Sequence, residues 1–305
     1  MKKSVLIIGS EGATGKSIYE LLSFKKSYNI YCLSRSEPAN HFLGKKHLNG
    51  DLNDIEFCKY INKNYLFDYI IYAAGIWRGK KNNISYLNEN LEPFKNFIKF
   101  IAGTSSHIIF FSSSAVYGKS EDAHELRILN TDQVDSTYGL AKLTSENLLI
   151  DYCHHHSKKF NILRPFHIVS KYEKYNPGRS HVVTDFVYDA LKAPNIFDKK
   201  INDLPDIWVP FTWSDDIAKL IELLLNSNES ANEIFNIGSH KTYSLKDLHK
   251  FITSLIIKKL YKSPSLTYRE VNTFNKSYEY FGNYASTDFE DFIKIFIDYK
   301  INDAK

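Results

Sequence analysis

A doubly wound α/β fold, a parallel sheet covered by helices on both faces with a smaller C-terminal unit beside it, is predicted by three observations. Short continuous apolar runs alternate with amphipathic stretches through the first half of the chain. That is the pattern of strands buried on both faces and of the helices that cover them. The first run leads straight into a glycine-rich loop, Gly9-Ser10-Glu11-Gly12-Ala13-Thr14-Gly15. After Arg164-Pro165 the alternation loosens, and Pro177, Pro194, Pro205 and Pro210 accumulate, which places a differently built unit there.

The elements follow in order. Strands are predicted over 4–8, 29–33, 67–73, 108–112 and 160–163, each an apolar run too short for a helix. Helices over 14–25, 54–64, 86–101 and 136–156 connect them. One helix over 182–192 lies inside the proline-rich stretch. A helix over 213–225 and the run Ile234-Phe235-Asn236-Ile237 predict a return to the first sheet. Ser244 with Asp247 marks another helix start, a capping hydroxyl followed by an acid in the first turn. The tail adds a strand at 266–269 and a helix from Asp288. The predicted division is therefore one unit of residues 1–168 with 213–239, and a second of 169–212 with 240–305.

Composition narrows the function classes. A length of 305 residues suits two domains, and 43% apolar with 15% aromatic residues excludes intrinsic disorder. The 39 basic and 35 acidic residues are spread along the chain, so no basic stripe points to a nucleic-acid partner. No apolar run approaches the ~18 residues of a membrane span. Cys32, Cys58 and Cys153 share no short spacing. They are expected to be reduced thiols in a cytoplasmic protein, not a disulfide frame or a zinc site. The run His154-His155-His156 sends its side chains to different helix faces, so no metal site is expected.

The glycine loop follows a strand and opens a helix. Gly9, Gly12 and Gly15 permit a tight turn, let main-chain N–H groups reach a pyrophosphate and allow close helix–strand packing. Glu11, Ala13 and Thr14 complete this candidate dinucleotide site. Gly15-Lys16-Ser17 imitates the end of a P-loop, but the position that loop requires to be glycine is Ser10, so Lys16 is expected to be a solvated lysine. The second strand ends in Ser34-Arg35-Ser36, with no carboxylate for a ribose 2′-hydroxyl and a guanidinium able to meet a 2′-phosphate. NADP(H) is favoured over NAD(H).

Tyr138 and Lys142 stand four residues apart, one above the other on a helix. An ammonium beside a phenol lowers its pKa and readies it to exchange a proton with a substrate oxygen. Tyr188 and Lys192 repeat the spacing. Context separates them, because Ser113 stands just past an apolar strand, where ligands sit in open α/β sheets.

The glycine loop, Gly50-Asp51-Leu52, Ala73-Ala74-Gly75, the Ser112-Ser113-Ser114 segment, the Tyr138/Lys142 pair and Leu163-Arg164-Pro165-Phe166 occur in order. Together with Thr212–Ala218 and Phe235-Asn236-Ile237-Gly238-Ser239, they resemble the extended short-chain dehydrogenase/reductase family of nucleotide-sugar epimerases, dehydratases and ketoreductases. The resemblance implies a Rossmann sheet with a smaller C-terminal substrate domain, and a homodimer built on helices 86–101 and 136–156. It implies Ser113, Tyr138 and Lys142 as catalytic residues. Asp51 would bond the adenine, and Leu52, Ala73, Ala74, Gly75, Asn90, Ser112 and the backbone at Phe166 would line the cofactor.

Within that family, the dehydratases carry an Asp-Glu pair where Ser114 and Ala115 stand, and other branches place a glutamate or a cysteine at 115. What remains is hydride chemistry at one carbon. The expected activity is an NADP-dependent 4-ketoreductase acting on a nucleotide-linked sugar. The alternatives are a nucleotide-sugar 4-epimerase with retained NAD, an NADP reductase of a non-nucleotide carbonyl compound and, last, a dinucleotide-binding sensor without turnover. Ser114, His167, Arg179 and His181 are candidate substrate contacts, because Val209 replaces the family's diphosphate-binding arginine. Arg269, Arg78, Lys80 and Lys81 are further basic candidates.

Overall fold

The strand β1 (Lys3–Ile8) explains the cover on both sides of the sheet in the computed structural model, which describes residues 2–36, 46–77, 83–118, 123–125, 129–177, 180–227, 230–258 and 265–303. Val5 and Ile7 pack into one core with α1 (Ala13–Ser23), while Leu6 and Ile8 pack into another on the opposite face. Neighbouring side chains of a strand point opposite ways, so an unbroken apolar run needs partners on both faces. The alternation continues through β2 (Tyr28–Ser34), β3 (Lys46–Asn49), α2 (Ile55–Asn64), β4 (Phe67–Tyr72), α3 (Ile84–Asn96), β5 (Ser105–Phe111), α4 (Thr137–His155) and β6 (Lys159–Pro165).

Beyond β6 come β7 (Ile168–Val169), α5 (Val182–Lys192), α6 (Pro194–Lys199), β8 (Trp208–Pro210), β9 (Thr212–Trp213) and α7 (Ser214–Asn226). The chain ends with β10 (Glu233–Ile237), β11 (Lys241–Ser244), α8 (Leu245–Ile256), β12 (Tyr268–Glu270), α9 (Asn275–Phe281) and α10 (Phe289–Asp303).

The main sheet has seven strands in the order β10-β6-β5-β4-β1-β2-β3, and every pair is parallel. The chain winds outward from β1 to β3, then crosses back to β4 and winds the other way. That reversal opens a crevice at the carboxyl ends of β1 and β4, where such sheets bind ligands. Helices α1 and α7 cover one face through Leu22, Leu220, Ile221 and Leu224. The other face is covered by α2, α3 and α4 through Ile61, Phe94 and Leu149.

Local chemistry sets the helix starts. Asp54 accepts the N–H groups of Glu56 and Phe57 at 2.9 and 3.2 Å to cap α2, and Ser136 accepts that of Gly139 at 3.1 Å to cap α4. Ser244 caps α8, accepting from Asp247 at 3.5 Å. The single helix expected over 86–101 is interrupted. Pro93 lacks a donor inside α3, and the chain widens into a π turn at Phe97–Ile101.

A second core gathers Val183 and Phe186 of α5, Val209 of β8, Trp213, Phe251 of α8, and Phe292 and Phe296 of α10. It is backed by the antiparallel sheet β12-β11-β8. Among the described residues, no helix is long and apolar enough to cross a membrane.

Candidate active site

A cavity of about 280 Å³ lies at the carboxyl ends of β1, β2 and β4, lined by Gly9, Glu11, Gly12, Ser34, Arg35, Ser36, Asp51, Leu52, Ala73, Ala74, Gly75 and Asn90. Gly9 makes it possible. Its φ is +85°, and a Cβ there would stand 2.8 Å from the main chain of Ala74. Gly15 is not among the residues lining this cavity; a Cβ on it would strike the Gly9 carbonyl, so it seats α1 against the loop. Lys16 is not the solvated lysine expected, since it pairs with Glu11 at 3.3 Å and both side chains are largely buried.

At the far end of the cavity the Ser34 hydroxyl is already engaged, donating to the Ser36 carbonyl at 2.8 Å and bonded to His47 Nε2 at 3.0 Å. Arg35 is different. Its side chain is 65% exposed and lies 4.0 Å from Asp51 Oδ2. Asp51 Oδ1 accepts the N–H of Asn53 at 2.9 Å. Asn90 spends its amide on the loop after β4, accepting from the Ile76 N–H at 2.8 Å and donating to the Ile76 and Tyr86 carbonyls. It braces the cavity wall.

The cavity continues into a cleft of about 440 Å³, also bounded by Gly12, Ala73, Ala74 and Gly75, that reaches Ala13, Thr14, Ser112, Ser113, Ser114, Tyr138, Lys142, His167 and His181. Ser113 follows β5 and caps the single turn Ser114–Tyr117, its hydroxyl accepting the Ala115 N–H at 3.2 Å. Tyr138 and Lys142 project from the first two turns of α4. Tyr138 and Ser113 share a side-chain hydrogen bond, and Trp77 meets the Tyr138 ring edge-on at 5.3 Å.

The electrostatics differ from the sequence expectation. Burial pushes the Tyr138 phenol above its ordinary range, Tyr86 adds to this, and the Ser113 bond opposes it. Lys142 is 5% exposed and donates to the carbonyls of Phe111 at 2.8 Å and Ala74 at 3.3 Å, with its Nζ 5.7 Å over the Tyr138 ring. Burial brings the Lys142 ammonium down to about 8, against the pull of Glu146. Desolvation outweighs the ammonium's effect on the phenol.

The fit to a dinucleotide rests on the continuity of the two cavities and on Ser112. Its hydroxyl is buried on the cleft wall with no hydrogen-bond partner among the described residues, so it is placed to bond a group bound there.

Among the substrate candidates, His167 faces the cleft with φ +37°, and burial followed by the nearby His181 brings its imidazolium down to about 4. The Nδ1 of His181 is 2.6 Å from Glu173 Oε1, and Thr184 bonds the other oxygen. Burial pushes the Glu173 carboxyl up, but these bonds hold it below the usual range. Arg179, Arg78, Lys80 and Lys81 lie outside the described residues.

Phe166 lines neither the cavity nor the cleft; its N–H donates to the Ile237 carbonyl at 2.9 Å and its own carbonyl accepts from the Thr212 hydroxyl at 3.1 Å. The flanking Pro165 and His167 reach the cleft instead. Val209 is buried in the second core and pairs with Tyr243, while Arg269 stacks on Trp208 at 3.9 Å, away from the cleft lining. Sequence reasoning missed Trp77, Tyr86 and His47. Only Trp77 carried a signal, an aromatic residue directly after Ala73-Ala74-Gly75-Ile76.

Residues 5–238 match the NAD dependent epimerase/dehydratase family. The chain belongs to that family. Within it, the chain is of the extended short-chain dehydrogenase/reductase type that its motifs resemble, and its cofactor is an NAD(P)-type dinucleotide. UDP-glucuronate 4-epimerase 4 of Arabidopsis thaliana is 23% identical over 277 residues, 82% of this chain and 62% of the relative. The bifunctional polymyxin resistance protein ArnA of Wigglesworthia glossinidia brevipalpis is 27% identical over 278 residues, 83% of this chain. The chain spans 62% and 41% of the length of these two relatives. The structure of UDP-glucose 4-epimerase from Thermotoga maritima, solved with UDP-glucose, superimposes with a TM-score of 0.76 at 16% identity, covering 99% of this chain and 100% of that one. At that identity the likeness speaks for the fold.

Proposed function

We propose that this family member is a nucleotide-sugar 4-epimerase that retains its dinucleotide through the cycle. The observation that carries the reading is the Ser113–Tyr138–Lys142 constellation in the cleft that continues the first cavity. Ser114 and Ala115 beside it offer no acid or thiol for elimination. The relatives named as 4-epimerases favour this alternative over the ketoreductase expected from sequence.

When bound, the nicotinamide exchanges hydride reversibly with the sugar carbon. Gly9, Gly12 and Thr14 hold the pyrophosphate at the α1 N-terminus, where main-chain N–H groups favour an anion. Ser112 offers its free hydroxyl to the bound dinucleotide. Tyr138 takes the proton from the 4-hydroxyl and later returns it to the oxygen, while Ser113 donates to that oxygen and fixes it. Lys142 holds positive charge under the phenol as it ionises. Inversion requires the keto sugar to present its opposite face before reduction.

Ser114 and His167 from the unit formed by 1–168 with 213–239, and His181, braced by Glu173, from the unit formed by 169–212 with 240–305, contact the substrate. Arg35 meets the adenosine ribose and favours NADP(H). The protein acts as a homodimer through α3 and α4. The deciding experiment follows UDP-glucose, UDP-N-acetylglucosamine and UDP-glucuronate by NMR without added reductant. Appearance of the 4-epimer supports the reading, whereas stoichiometric loss of NADPH with a ketosugar restores the ketoreductase.

A further inference from the structure

The three catalytic side chains sit on two separate pieces of chain. Tyr138 and Lys142 belong to α4, and Ser113 belongs to the turn after β5. Their hydrogen bond therefore depends on how those pieces are held together.

Glu146 stands one further turn along α4, continuing the four-residue spacing of Tyr138 and Lys142. It is 1% exposed and forms a two-pronged ion pair with Arg164, Nη2 to Oε2 at 2.7 Å and Nε to Oε1 at 3.0 Å. Arg164 is 3% exposed and comes from the end of β6, the strand next to β5. Its Nη1 donates at 2.9 Å to the hydroxyl of Tyr117, the last residue of the turn that Ser113 caps. Tyr117 in turn donates at 2.7 Å to Asn236 on β10, and the Asn236 amide reaches the carbonyls of Ala123 and Thr273. The contacts close a ring: Tyr138, α4, Glu146, Arg164, Tyr117, the turn, Ser113 and back to Tyr138.

A buried ion pair is a weak source of net stability, because desolvating both charges offsets most of their attraction. What a forked guanidinium supplies is fixed geometry, since its donors are coplanar and set at one angle. Here one edge of the fork is spent on the helix bearing the proton donor, and the remaining nitrogen on the turn bearing its partner.

We propose that Arg164 is a positioning residue that holds Ser113 and Tyr138 at reacting distance by tying Glu146 on α4 to Tyr117 at the end of the Ser113 turn. Arg164 itself lines neither cavity. It acts through the two elements it joins.

The test uses Tyr117→Phe, which removes only the hydroxyl between Arg164 and the turn, and Glu146→Gln, which loosens the other side while keeping the volume. Two readouts are taken. The first is the ¹³Cζ chemical shift of Tyr138 at neutral pH in protein carrying [ζ-¹³C]tyrosine, assigned by the signal lost in Tyr138→Phe; it reports the hydrogen bond at the phenol. The charged and polar groups facing that phenol are Ser113, Tyr86 of α3 and Lys142, and of these the Ser113 bond is the one that loosening the turn weakens. The second is turnover, which rests on the epimerase reading.

Either variant is expected to move the Tyr138 ¹³Cζ signal towards its position in Ser113→Ala and to lower kcat about tenfold, the worth of one good hydrogen bond, with KM changed less than about twofold. Tyr117→Phe combined with Ser113→Ala is expected to be no slower than Ser113→Ala alone, because the two act through one bond. A Tyr138 ¹³Cζ signal unmoved in both folded variants overturns the proposal, whatever their melting temperatures do. Losses that multiply in the double variant overturn it as well. If wild-type protein turns over no nucleotide sugar, the epimerase reading fails, and the ¹³C chemical shift alone decides the role of Arg164.

Discussion

Gly139 lies so close to the Ala115 carbonyl that a Cβ on it would strike that oxygen. The helix carrying Tyr138 thus meets the Ser113 turn backbone to backbone, one residue from the phenol. Gly139→Ala is expected to wedge the two apart. Overpacking of this kind costs about 1–3 kcal/mol, and a shift of order 1 Å in a proton donor can cost about a hundredfold in rate. Melting temperature and turnover measure the two losses. Gly103→Ala is the control, because its Cβ would meet only the Tyr152 hydroxyl at an ordinary 3.7 Å. Equal behaviour of the two variants would remove the steric argument.

Lys142 sets stability against function. Its ammonium is brought down from 10.5 to about 8 in the folded protein by burial. Between those values the unfolded chain binds more protons than the folded one, so the penalty is full below about pH 8 and fades as pH rises towards 10.5. Lys142→Met is expected to melt at higher temperature than wild type at pH 7, by up to about 3 kcal/mol before the lost carbonyl bonds are deducted. The advantage should shrink from pH 8 to pH 10 in thermal scans, while turnover collapses at every pH. A variant less stable than wild type at pH 7 would show that the bonds to Phe111 and Ala74 outweigh desolvation.

How much of this was legible in the sequence follows from which residues carry apolar pattern. The five core strands and the glycine loop were readable because Val5-Leu6-Ile7-Ile8 and its counterparts must be buried on both faces. By contrast, β3 at the sheet edge is Lys-His-Leu-Asn with only Leu48 buried, and β11 is Lys-Thr-Tyr-Ser, so neither has an apolar run to read. The paired strands β7 and β9 are two residues each, too short for any period. In the site, identity was legible but spent capacity was not. Nothing in Ser34-Arg35-Ser36 reveals that Ser34 is claimed by His47, or that Asn90 is claimed by Ile76. The phenol's upward shift likewise depends on Tyr86 and on burial, which only the fold supplies.

Arg35 decides cofactor choice in the proposed reading. With Ser34 engaged, the exposed guanidinium is the group best placed to meet a 2′-phosphate, and Asp51 stands 4.0 Å from it. Arg35→Ala removes the cation and leaves the carboxylate, so NADPH affinity is expected to fall about tenfold or more while NADH affinity changes little. Fluorescence titration with both cofactors reads the ratio. Tighter binding of NADH than NADPH by wild-type protein would reverse the assignment.

The last prediction separates the working tyrosine from its twin. Tyr138→Phe keeps the ring against Trp77 and removes only the hydroxyl, so dinucleotide binding should persist while turnover falls by ~10²–10⁴-fold, the range for a positioned acid or base. Ser113→Ala should cost less, because Tyr138 can still donate to the oxygen. Tyr188 repeats the spacing on α5, yet its ring stacks on Tyr175 at 4.5 Å and Lys192 lies 5.5 Å over it, away from the cleft lining. Spacing alone would make the two tyrosines equal. The cleft makes them different, because Tyr138 shares its bond with Ser113 and stands above Lys142. Tyr188→Phe is therefore expected to leave kcat within about twofold, and a Tyr138→Phe variant with near-normal kcat on a verified substrate would end the mechanism.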